Sequence, residues 1–237
     1  MTEQQKTRLY INLEKIRLRY DALFFKRLQR FYLDESILLI TRLKVNQSAS
    51  LDSFYETRNT KLYDLLYGLY ESCIREFYQF QENLNTSPEY KKAVLDLETK
   101  ASFRQTVAEI KFKIQSRVQA ITNTSKARTE ALIASGKNVI DNVRVWYTNP
   151  GRIMRQARTE VNTASNVGLQ EAAKSYAGFT TKIWISRRDN LVRETHVEID
   201  GEERPIDEIY SNGCYFPGDI NGPPSEVINC RCFQIFK

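Results

Sequence analysis

The histidine of this 237-residue chain, His196, and three of its four cysteines, Cys214, Cys230 and Cys232, gather near the carboxyl terminus. Imidazole nitrogen and thiolate sulfur are the donors that zinc prefers, so these four residues form a candidate Zn2+ staple. Cys230 and Cys232 stand two apart, which in a strand turns both thiols to one face, while His196 and Cys214 would arrive from separate loops. The Cys-x-Cys spacing is tighter than a paired Cys-x-x-Cys framework, and a second arrangement therefore stays open. In it His196 hydrogen-bonds Asp189 or Asp200, with buried thiols beside it. A Cys–His nucleophilic pair is a third arrangement, but no oxyanion hole or orienting residue is visible to serve it.

A second group of polar residues lies upstream. Arg158, Asn162 and Asn166 follow at i, i+4 and i+8, hence on nearly one face of a helix. An Arg fork and two amides there can satisfy turn carbonyls or carboxylates and lock the helix to the tail. Catalysis by Arg158 and Glu160 is the sharper alternative, yet neither a positioned base nor a nucleophile accompanies them, and no known enzyme triad or phosphate loop is spelled in the last 80 residues.

The elements that must carry these groups are mostly helical. Leu9, Leu13, Ile16, Tyr20, Leu23, Phe24, Leu28, Phe31 and Tyr32 recur at three- and four-residue steps, predicting a long helix with an aromatic core face. Arg8, Arg17, Arg19, Lys26, Arg27 and Arg30 form a cationic flank beside it. A second helix is predicted over about Ser53 to Gln81, with Cys73 as a small core residue. Asn85-Thr86-Ser87-Pro88 reads as a break, Ser87 capping the next helix, which is predicted from Tyr90 to about Ala120. Gly136-Lys137-Asn138 and Asn149-Pro150-Gly151 read as further stops, and a helix over about Arg152 to Tyr176 carries Arg158-Thr159-Glu160. The tetrapeptide Ala127-Arg128-Thr129-Glu130 echoes Ala157-Arg158-Thr159-Glu160, too little to signal a repeat. From Thr180 to Ser186 the text becomes strand-like, and Val192 to Ile199 and Cys230 to Phe236 read as further short strands among Gly/Pro-rich turns. The expected fold class is α+β, mainly α. A long amino-terminal helical bundle or arm over residues 1–120 precedes a small mixed α/β domain over 121–237, helical to about residue 178.

The tail motifs, taken in order, carry a resemblance. Arg158-Thr159-Glu160 with Asn162 and Asn166, Lys182-x-Trp184, Asp189 to His196 with Val192 and Arg193, Asp200-Gly201, and Asn229-Cys230-Arg231-Cys232 together resemble the phage head morphogenesis family, the minor head proteins similar to phage Mu protein F. The resemblance spans roughly residues 120 to 235. It implies a nonenzymatic minor head (capsid) protein of a tailed bacteriophage, with the portal and other head proteins as partners. It also implies a virion location, in the head interior or at the portal vertex, and a role in head assembly or in DNA packaging or ejection.

Composition sets outer bounds. Hydrophobic residues make up 41% and charged residues 27%, which suits a folded chain. No apolar run approaches a membrane span, and the amino terminus lacks a secretory core, so synthesis in the host cytoplasm and no membrane partner are expected. In that reducing setting the cysteines are expected as free thiols or metal ligands. The net charge of +6 divides into +9 over residues 1–179 and −3 beyond. The basic helical region therefore offers itself to double-stranded DNA or to an acidic protein surface. A freestanding nucleic-acid-binding protein and a metal-dependent or toxin-like enzyme are the competing functions. The chain ends five residues after Cys232, from which no attached effector domain is expected.

Overall fold

The computed structural model describes residues 2–46, 50–84, 101–175 and 178–237. The predicted break at Asn85 to Pro88 and the helix start at Tyr90 fall outside them. Among the described residues, five helices come first: α1 (Glu3–Val45), α2 (Asp52–Leu84), α3 (Ala101–Ser135), α4 (Val139–Thr148) and α5 (Pro150–Lys174). The tail follows with β1 (Thr181–Ile185), a one-turn helix α6 (Glu194–Glu198), β2 (Glu203–Pro205), a second short helix α7 (Pro224–Val227) and β3 (Phe233–Phe236). No helix among the described residues is long and apolar enough to cross a membrane.

The helix boundaries follow local chemistry. Thr2 and Gln5 close a capping box at the start of α1. Asn149 accepts a hydrogen bond from the Arg152 amide at 2.9 Å, and Pro150 occupies the first turn of α5, where its missing N–H costs nothing. One dipeptide thus ends α4 and begins α5. Gly136 and Asn138, with φ of 63° and 46°, turn the chain out of α3.

The long helices form a bundle rather than an extended arm. α1 and α2 run antiparallel, since Arg19 pairs with Glu76, Phe24 meets Tyr70, and Arg58 lies over Phe31. One apolar core, including Phe24, Leu28, Tyr32, Leu66, Phe77, Val161 and Phe233, joins the bundle to the sheet. α5 is its axis, buried at every residue from Thr159 to Gln170. Gly168 allows α2 to come close, because a Cβ there would stand 2.6 Å from the Ile74 carbonyl oxygen. The division at 120/121 lies within α3, which runs through it without a break.

Several sequence expectations are corrected. Leu23 is exposed, not part of the apolar seam, since the seam turns towards α2 and α5 on the face defined by Tyr20, Phe24 and Leu28. Arg17 does not join the solvated flank. It is fully buried, and Glu14 (2.6 and 2.8 Å) and Asp21 (2.9 Å) neutralise it. Val192 to Ile199 holds helix α6 instead of a strand, and the last strand begins at Phe233, after Cys230-Arg231-Cys232. The small β2, unforeseen in the sequence, completes an antiparallel sheet of order β2-β1-β3. Lys182 pairs with Arg204 on one side and Phe236 on the other.

Candidate functional site

The tail has its own small core of Trp184, Ile199, Tyr210, Cys214, Val227, Cys230 and Cys232. β1 supplies Trp184, whose ring meets those of His196 and Tyr210 edge-on at 5.0 and 5.1 Å. α6 carries His196 into this core, and the segment ahead of β3 delivers Cys230 and Cys232. The sulfurs converge although residues 230–232 are not in a strand, because an extended chain alternates its side chains without needing ladder partners.

His196 Nδ1 lies 3.7 Å from Cys230 Sγ and 3.4 Å from Cys232 Sγ. The three donor atoms lie within 4.8 Å of one another, and all three residues are buried. Cys214 is buried in the same core but outside that group, and all four cysteines are free thiols. Burial pushes the Cys214 thiol up to about 12, with Asp219 adding to the shift. Cys230 is also buried, yet hydrogen bonds from Cys232 and His196 hold its thiol well below the usual range. Cys232 is held well above it by burial and by the neighbouring Cys230. The arrangement favours one thiolate and one thiol.

The partner of His196 is neither Asp189 nor Asp200. Its Nε2 lies 3.0 Å from Glu226 Oε2, outside good hydrogen-bond alignment, and Thr195 Oγ1 donates to that same oxygen at 2.8 Å. Asp189 instead accepts both arms of Arg231 at 2.7 Å, which holds its carboxyl below the ordinary range. Asp200 accepts from the Ser186 amide at 2.8 Å and from Arg188 at 2.7 Å. Gly201, with φ of 88°, donates to the Trp184 carbonyl at 2.8 Å and turns the chain into β2. Arg193 reaches the carbonyls of Glu226 and Ile228 and so shapes the approach to Cys230.

The polar row on α5 divides. Asn166 faces the tail. Its Oδ1 accepts from the Gln234 amide at 3.1 Å, and its Nδ2 donates to the Cys232 carbonyl at 3.2 Å. Asn162, fully buried, packs under Gly218, where a Cβ would stand 2.8 Å from its Nδ2. Among the described residues Arg158 makes no hydrogen bond to the tail, and its charge acts on Asp21 of α1. Between them in sequence, Thr159 Oγ1 accepts from the Asn229 amide at 2.9 Å. Glu160 turns away from the tail, because its position on α5 faces α2 and α3. It is clasped by Arg117 (2.9 and 3.2 Å) and by the Tyr70 hydroxyl (2.6 Å). In the echoing tetrapeptide Thr129 is buried but Glu130 is exposed, so the two do not play matching parts.

Sequence reasoning missed Glu226, Arg117 and Arg187 as partners, and placed Lys182 only within the Lys182-x-Trp184 motif. The first three are partners that only folding brings close. Lys182 carried a signal, since it stands two residues before Trp184 and so shares its face. It is fully buried, donating to the Tyr215 carbonyl at 2.6 Å with its Nζ 3.7 Å from the Tyr215 ring centroid.

The profile of the family described as Phage Mu protein F like protein matches residues 87–235. The chain belongs to this family. The Mu F-like match takes in all of α5 and nearly all of the tail, and it reaches upstream of residue 120, where the resemblance was expected to begin. Its membership makes this a phage head-related protein. The Mu F-like chain is also similar to the NAD(+)--arginine ADP-ribosyltransferase EFV of Enterococcus faecalis (strain ATCC 700802 / V583). The two are 37% identical over 87 residues, which make up 35% of this chain and 18% of that protein. No solved structure matches the chain.

Proposed function

We propose that this protein is a minor head protein of a tailed bacteriophage that associates with the portal. It acts in head morphogenesis and serves DNA packaging or ejection, without catalysis. In this reading residues 121–237 are the head morphogenesis domain and residues 1–120 supply the docking face. The protein resides in the head interior or at the portal vertex, after assembly in the host cytoplasm.

The observation that carries this reading is the outward face of α1. Ile11, Leu18, Leu33 and Ile37 are each about half exposed, and Arg8, Lys15, Lys26 and Arg30 are exposed among them. At 100° per residue, these eight fall within roughly 120° of one another. That is a mixed apolar and cationic stripe along a long helix, suited to an acidic, partly apolar protein surface. The motif residues of the tail support the same reading from the other side. Asn166, Asp189, Arg193, Asp200 and Arg231 are engaged in internal hydrogen bonds that tie the tail together, as a scaffold requires.

The test is pull-down of the tagged chain from cells that coexpress portal and scaffold proteins. Portal should copurify in a defined stoichiometry, and Lys15→Glu with Lys26→Glu should abolish recovery without unfolding the bundle. A monomer that ignores portal overturns the proposal. The charge of +9 over residues 1–179 favours one second reading, direct contact with DNA. It calls for binding that ignores base sequence and falls steeply with salt. Tight DNA binding by an isolated monomer would favour a freestanding nucleic-acid-binding protein.

A further inference from the structure

We propose that Cys230, Cys232 and His196 Nδ1 hold a structural zinc ion, with Cys214, the remaining thiol of the tail core, closing the tetrahedron. The inference rests on the geometry of the tail alone and is independent of portal docking.

The spacing is that of a coordination shell. Zn–S bonds of about 2.3 Å and Zn–N bonds of about 2.0–2.1 Å at a tetrahedral angle put nitrogen and sulfur about 3.6 Å apart. The two Nδ1 to Sγ distances, 3.7 and 3.4 Å, bracket that value. Hydrogen bonds alone account for the arrangement less well. One Nδ1–H can point at only one sulfur, and a ring protonated at Nδ1 alone leaves an acceptor nitrogen 3.0 Å from the Glu226 carboxylate oxygen. With a cation at Nδ1, the ring proton sits on Nε2, 3.0 Å from Glu226 Oε2 though not aligned with it. A small turn of the ring would complete the carboxylate–histidine pairing that orients metal-bound imidazoles, with Thr195 holding the carboxylate in place. Soft sulfur donors in a closed, water-excluding pocket of Trp184, Tyr210 and Val227 select zinc and a structural role. The ion would tie α6, the turn at Cys214 and the approach to β3 into one unit, where seven buried side chains form the separate core.

The experiment is zinc analysis of the full-length protein purified without chelators, followed by cobalt substitution. About one zinc per chain is expected. His196→Ala, Cys230→Ser and Cys232→Ser should lose it, while Cys73→Ala, remote in the helical bundle, should keep it. Tetrahedral cobalt should show thiolate charge-transfer absorption, weaker by one thiolate in Cys214→Ser. Unchanged intensity in that variant overturns the assignment of Cys214. Where a variant fails to fold, the wild-type protein decides. Chelation should lower its melting temperature and speed alkylation of the tail thiols. A wild-type protein that carries no zinc, takes up no cobalt and ignores chelators overturns the proposal.

Discussion

Glu160 and Glu35 are both buried carboxylates of the helical part, and what surrounds them differs. Glu160 meets Arg117 and Tyr70 directly, so Glu160→Ala leaves a mostly buried guanidinium and a buried hydroxyl without their acceptor. Because a quarter of the Arg117 side chain still reaches water, the loss should be about 2–3 kcal/mol, below the ~3–5 of a fully buried pair. Urea titration of the variant would measure it, and a loss under about 1 kcal/mol would mean that the clasp is dispensable. Burial pushes the Glu35 carboxyl up to about 7, against the pull of Arg58 and Arg152. A carboxyl raised in the folded state contributes stability fully below its ordinary value of 4.5, and loses it as the pH climbs through 7. The loss should be on the order of 3 kcal/mol. Glu35→Gln should therefore flatten the pH dependence of stability between about pH 4.5 and about pH 7. An unchanged slope in that window would refute this account of Glu35.

At the scale of elements, α5 decides the fold, and its packing against α2 and β3 is tight at defined points. Gly168→Ala would put a Cβ 2.6 Å from a backbone carbonyl oxygen and 3.1 Å from Phe77 Cβ. Backbone cannot swing aside as a side chain can, so the helices must separate. A cost of about 1–3 kcal/mol is expected, offset only in part by the better helix propensity of alanine. A melting temperature equal to that of the wild type would show that α2 and α5 slide freely. The tail is tied to α1 by a ladder of charges as well. Asp21, Arg17, Glu14, Arg187, Asp189 and Arg231 follow one another at ion-pair distance, so the Arg of Asn229-Cys230-Arg231-Cys232 is linked to the amino-terminal helix. Arg187→Ala removes the central rung. It should cost about 1 kcal/mol or less, since Arg187 is partly solvated, and double-mutant cycles with Glu14 would measure the coupling.

For the whole molecule, the similarity to an arginine ADP-ribosyltransferase raises a definite question. The shared stretch is 18% of that protein, so the activity in its name does not pass to this chain by similarity. Incubation of the purified protein with labelled NAD(+) and an arginine acceptor should transfer no label above a heat-treated control. Transfer that survives repurification would put the competing enzyme reading ahead of the head-protein one.

Periodicity alone determined that residues 9–32 and 53–81 are helices, since burying one face of a helix imprints a 3.6-residue rhythm on the sequence. Asn149-Pro150 marked the start of α5 for an equally local reason, a side-chain cap and a proline with no amide to satisfy. The ordered tail motifs were enough to name the family, because turns and buried polar anchors need particular residue types at fixed places. Tertiary structure decided the rest. Whether Arg17 lies in solvent or between two carboxylates depends on which helix covers it, and Leu23 and Leu28 are told apart only by the same fact. His196 meets Glu226 rather than Asp189 or Asp200, Glu160 meets Arg117, and Val192 to Ile199 coils because the chain must carry an imidazole inward to two sulfurs. Such pairings join residues 30 or more positions apart. Local sequence carries no record of distance across a fold, and only the packed chain settles which groups share a site.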